Sequence, residues 1–106
     1  MAKYLIKGSY TAEGAKGLMK DGGTKRIDAV RAAMKSVGGT VETAYFAIGE
    51  DDVYLIVDAP DHASVGAFAV AANASGGVRA STTVLMTAAE VDAMVKKTVS
   101  YTPPGR

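Results

Sequence analysis

Residues 1–10 have the two-residue period of a strand, with Tyr4, Ile6 and Tyr10 alternating with Lys3, Leu5, Lys7 and Ser9. Thr11 is placed to cap a helix starting at residue 12. Glycines at 14, 17, 22 and 23 predict only a turn or two of that helix, broken near 22-GGT-24. Beyond the break Ile27, Val30, Met34 and Val37 recur at three- and four-residue spacing, the buried stripe of an amphipathic helix that Gly38-Gly39 ends. Two apolar runs, 40–49 and 52–59, flank the acidic loop Gly49-Glu50-Asp51-Asp52 and read as a hairpin. Pro60-Asp61 stops the second run, and Asp61 caps a helix whose core face is Val65, Phe68, Ala69 and Ala72, ending at Gly76-Gly77. Residues 78–86 form a β-branched fourth strand. Thr87 and Glu90 make a capping box for a last helix with Val91, Met94 and Val95 as its buried side. Residues 1–99 are expected as one domain and 100–106 as an extended, Pro-rich tail.

The two middle strands read as apolar on both faces. Val41, Thr43, Tyr45 and Ala47 line one face of the first, and Ala44, Phe46 and Ile48 the other. In the second, Val53, Leu55 and Val57 oppose Tyr54 and Ile56. A half-solvated sheet alternates apolar with polar, so both faces here need a cover. The predicted helices cover one face, and a second copy of the chain is the expected cover for the other. The expected assembly is a homodimer or higher homo-oligomer.

Composition agrees. In 106 residues, Leu, Ile, Val and Phe number 22 and alanine alone 19, so the core is thin and burial against a partner adds what a small monomer lacks. A net charge of +1 with both signs interspersed offers no nucleic-acid footprint. Absence of cysteine removes disulfides, thiolate metal sites and cysteine nucleophiles, and fits a reducing cytosol. No signal pattern and no run of about 18 apolar residues occur, so a cytoplasmic protein without a membrane partner is expected.

The order β-α-β-β-α-β plus a terminal helix is that of an α+β, ferredoxin-like fold: a four-stranded antiparallel sheet with helices on one face. Pairing of two open faces would make a dimeric α/β barrel. On that order sit Thr11 and Gly14, Lys20-Asp21, Lys25-Arg26, Gly38-Gly39, Gly49 with Asp52, Pro60-Asp61, and Val78-Arg79 with Thr82-Thr83. With these the chain resembles the GYD-domain family over roughly residues 4–97. One departure is that Asp51 stands at the tyrosine position of the Gly-x-Tyr-Asp stretch. The resemblance implies the fold and an assembly more than an activity. It also places the chain near the dimeric α/β-barrel group, which includes cofactor-independent monooxygenases, haem-handling proteins and stress-response barrels.

Lys7 and Ser9 share one strand face, as do Arg79, Ser81 and Thr83 on a strand expected to neighbour it. Together they suit an anion, since an arginine fork donates two parallel hydrogen bonds to a carboxylate or phosphate, with Asp58 as a counter-charge. Tyr10, Tyr45 and Tyr54 are amphipathic aromatics suited to an interface or to stacking on a flat ligand. The ligand-binding set is Lys7, Tyr10, Tyr54 and Arg79. The structural alternative makes Arg79 half of an ion pair. Glu50, Asp51 and Asp52 lack the oxygen spacing of a calcium loop and read as a turn bonding its own backbone, so no metal is assigned. His62, the single histidine, reads as exposed at a helix start, and Lys25, Arg26 and Arg31 as a solvated face.

No phosphate-binding Gly-x-x-x-x-Gly-Lys loop, Gly-x-Ser-x-Gly elbow or aromatic RNA-binding pattern is present. The expected function is a self-associating, non-catalytic domain holding a small organic ligand, with no cofactor. The enzymatic alternative is a cofactor-independent monooxygenase or isomerase, with Arg79 and Lys7 stabilising an anionic intermediate and Tyr10 or His62 handling a proton. Haem binding through His62 is a third reading.

Overall fold

A computed structural model describes residues 1–106. The elements are β1 (Ala2–Tyr10), α1 (Ala12–Asp21), α2 (Gly23–Ser36), β2 (Thr40–Phe46), β3 (Val53–Ala59), α3 (His62–Ala74), β4 (Val78–Leu85) and α4 (Ala88–Val95). The strands form one sheet in the order β2-β3-β1-β4, every neighbouring pair antiparallel. This is the ferredoxin-like α+β arrangement that the element order predicts.

One face of the sheet holds the core. Tyr4 and Ile6 of β1, Val53, Leu55, Val57 and Ala59 of β3, and Val41 of β2 are buried with Val30 and Met34 of α2 and Val65 of α3. Burying apolar area at roughly 25 cal/mol per Å² supplies most of the drive to fold, and here modest side chains supply it. Tyr4 is the bulkiest fully buried residue, and its hydroxyl is satisfied by Nδ1 of His62, 2.6 Å away.

Helix α1 runs ten residues rather than the turn or two that its glycines predict. Its ends compensate for them. The Thr11 side chain accepts from the Gly14 N–H, Glu13 lies in the first turn and Lys20 in the last, each sign matching the helix dipole. The predicted break is present at Gly22, whose φ of 81° is a left-handed conformation that glycine adopts without strain.

Two expectations about burial are corrected. The β2–β3 register skips a residue between Val41 and Thr43, a β-bulge at Glu42. The extra residue turns Val41 to the helix-covered face with Ala44 and Phe46, leaving Thr43 and Tyr45 on the open face without it. The two-faced apolar pattern therefore belongs to β3, with Leu5 of β1 beside it, rather than to β2. The second correction concerns α4. Its capping box is present, but Val91, Met94 and Val95 are 38, 48 and 70% exposed, and every residue from 86 to 102 is exposed. The segment after β4 is an arm leading away from the sheet. The radius of gyration, 16.8 Å, accordingly exceeds the roughly 13 Å of a compact chain of this length.

Candidate functional site

The sheet face away from α2 and α3 is the surface on which the predicted binding residues meet. Strand registers arrange it in rows. Tyr45, Tyr54, Lys7 and Ser81 lie side by side across β2, β3, β1 and β4. The next row is Thr43, Ile56, Leu5 and Thr83, and the one beyond it Thr40, Asp58, Lys3 and Leu85. At the opposite end Ser9 pairs with Arg79. The middle of the face is thus apolar, with Leu5, Tyr54 and Ile56 only half-buried, between a charged row and a basic one.

The charged row is closed within the chain. The Lys3 ammonium lies 3.0 Å from Asp58 Oδ1 and 3.0 Å from Glu42 Oε1. Hydrogen bonds to Asp58 first, then Glu42, hold Lys3 above the ordinary lysine range. Asp58 is therefore committed to Lys3, not to Arg79 as the sequence suggested. Lys7 and Arg79 have no carboxylate partner. They supply two unpaired cations to the β1–β4 side of the face, with the Asp51 carboxylate on Ser9 at its far end.

Three of the four predicted binding residues come together. Lys7 and Tyr54 are cross-strand partners, and Arg79 sits one row away on β4. Tyr10 does not join them. It follows Tyr4, Ile6 and Gly8 on the helix-covered face, where it lines a recess with Leu18 and Phe46. His62 also lies elsewhere, bonded to Tyr4 at the start of α3.

The acidic loop folds back onto β1. Asp51 accepts from the Ser9 hydroxyl at 3.1 Å, and Asp52 Oδ2 accepts from the Tyr10 N–H at 2.8 Å. These carboxylates serve the end of β1 rather than their own turn. Asp52 satisfies a donor that β3, which begins at Val53, no longer reaches.

The basic group on α2 is not a uniform solvated face. Arg31 donates from Nη1 to the Val41 carbonyl at 3.0 Å, tying α2 to β2. Arg26 is half-buried between helices, and its Nε is buried without a hydrogen-bond partner. The signal for Arg26 was in the sequence: it lies four residues before Val30, on the same stripe as Val30 and Met34.

A GYD domain model matches residues 4–95. The chain belongs to the GYD-domain family. The residues carrying the family pattern have structural work in this fold. Thr11 caps α1 and donates to the Gly76 carbonyl, Gly14 abuts Gly77, and Asp52 holds the end of β1. No curated protein matches the sequence. Among solved structures, MtbAldR superimposes with a TM-score of 0.54 at 24% identity over 81% of this chain and 52% of its own, so the chain spans about half its length. FFRP-DM1 superimposes with a TM-score of 0.55 at 17% identity over 81% of this chain and 100% of its own. Both share the fold. No helix of the GYD domain is long and apolar enough to cross a membrane.

Proposed function

We propose that this GYD domain is a self-associating, non-catalytic module that pairs its open sheet face with that of a second copy and holds a small anionic ligand between them. One observation carries the reading: apolar surface is uncovered in two places at once. The middle of the open face carries the half-buried Leu5, Tyr54 and Ile56, and the arm carries the exposed Met86, Val91, Met94, Val95, Val99 and Tyr101. Contiguous exposed apolar surface marks interaction sites. A second copy supplies both covers, its sheet over the face and its arm along the edge.

Charge supports this pairing. Lys3 enters it already paired with Asp58, so the ammonium is not an orphaned charge, while the partly exposed Glu42 leaves the cluster one negative charge in excess. Lys7 and Arg79 remain to meet a carboxylate or phosphate beside Tyr54. The oxygenase or isomerase reading has less support, because Tyr10 and His62, its proton-handling candidates, lie off this face.

Native mass spectrometry and light scattering at tens of micromolar test the reading. The wild type is expected as a dimer or higher multiple, Ile56→Glu as a smaller species, and deletion after Thr87 as a weakened assembly. Phe46→Glu is not an equivalent test, since Phe46 lies against Gly23 on the helix side. A wild-type monomer, or an Ile56→Glu variant with unchanged assembly, refutes the proposal.

A further inference from the structure

A second feature lies on the opposite side of the sheet, between α2 and α3. Ala29 and Ala33 of α2 face Ala67 and Ala71 of α3, and these small side chains leave a groove of about 280 Å³ floored by Val30 and Phe68. That is near the lower end of ligand pockets, roughly 300–1,000 Å³. Arg26 and Ser75 lie at one end of it. Arg26 also borders a recess of about 170 Å³ beside α1 and an internal void of about 30 Å³ against the sheet.

The guanidinium has no carboxylate within salt-bridge distance, and its Nε is buried with no acceptor. Asp21 lines the α1-side recess, yet the cation it meets is Lys25, at 3.6 Å. A buried donor without a partner is costly, and one belonging to a cation more so. Nε has no accessible surface, so a ligand in the groove meets the Nη edge of the guanidinium, which presents two parallel donors matched to a carboxylate.

We propose that this groove binds a small carboxylic acid with an apolar body, its carboxylate on Arg26 and its body along the alanine walls. Charge complementarity selects an anion. The apolar floor and walls select against an inorganic one, which would leave them unfilled. This site is separate from the open sheet face.

Octanoate is a suitable probe, with octanol and inorganic phosphate as comparisons. Amide chemical-shift titration of the full chain is expected to show saturable shifts at Ala29, Ala33, Ala67 and Ala71. Octanoate should bind about tenfold or more tightly than octanol, the worth of a charge-assisted pair. Arg26→Gln should remove that preference, and Ala33→Leu, which leaves Arg26 in place, should block the groove. Unchanged amide dispersion in both variants serves as the control for folding. Equal affinity for octanoate and octanol, phosphate binding as well as octanoate, shifts confined to the open face, or binding that survives both substitutions would each overturn the proposal.

Discussion

Substituting alanine at Gly14 and at Gly17 is expected to have opposite effects within one helix. At Gly14 an added Cβ would stand 1.8 Å from the Gly77 carbonyl oxygen and 2.7 Å from its carbon. Relieving that overlap requires α1 to move about 1.7 Å, since unstrained contacts lie near 3.5 Å. The movement breaks the bonds that dock the helix: Thr11 N–H to Gly77 O at 3.1 Å and Thr11 Oγ1 to Gly76 O at 2.8 Å. Two hydrogen bonds at about 1 kcal/mol each, with about 1–3 kcal/mol of overpacking, outweigh the gain of up to about 1 kcal/mol from replacing a helical glycine. Gly14→Ala should therefore cost about 3 kcal/mol. At Gly17 the added Cβ meets nothing within 4 Å, so only the propensity gain remains and the domain is stabilised by about 0.5–1 kcal/mol. With a urea slope of about 1.5 kcal/mol per molar, the midpoints should separate by about 2 M or more. Circular dichroism at one fixed protein concentration measures them, the concentration being held because self-association would itself move the midpoint. Helix α1 contains no buried residue, so it can also yield by undocking. In that case the loss appears as faster amide exchange across residues 12–21. A Gly14→Ala variant with wild-type midpoint and wild-type exchange would refute the close approach of α1 to the 76–77 turn.

Two further outcomes rest on single contacts. Asp52→Ala removes the acceptor of the Tyr10 N–H and should cost about 1–2 kcal/mol in thermal unfolding while speeding exchange of that amide; unaltered exchange would contradict the role given to Asp52. Asp61 caps α3, and hydrogen bonds from Ser64 hold its carboxyl below the ordinary value of 3.8. A depressed carboxyl contributes stability that is present above its unfolded value and is lost as pH falls through the folded one. Asp61→Asn keeps a capping oxygen but does not titrate. Its stability difference from wild type should thus be constant near neutrality and change only below about pH 4, and a difference independent of pH down to about 2.5 would contradict that origin.

Much of the fold was legible because its signals are local. Alternation in β1, the stripe Ile27, Val30, Met34 and Val37, and the caps Thr11, Asp61 and Thr87 depend on residues within a few positions of one another. Their order confined the chain to one topology, which placed Lys7 beside β4 and its Arg79. The two-residue period likewise contained the position of Tyr10 opposite Lys7, although its chemistry had drawn it into the same site.

Tertiary structure decided what depends on partners distant in sequence. The bulge at Glu42 moved Val41 to the core face, because pairing with β3 rather than the β2 pattern sets the register. Asp58 went to Lys3 through cross-strand pairing, and Asp52 to the Tyr10 amide through the fold of its loop. Whether an apolar stripe is buried depends on what lies above it. Met34 and Met94 both sit on such stripes; the sheet covers the first, and nothing in the chain covers the second. Periodicity determined which faces are apolar, and only packing determined which of them the chain covers by itself.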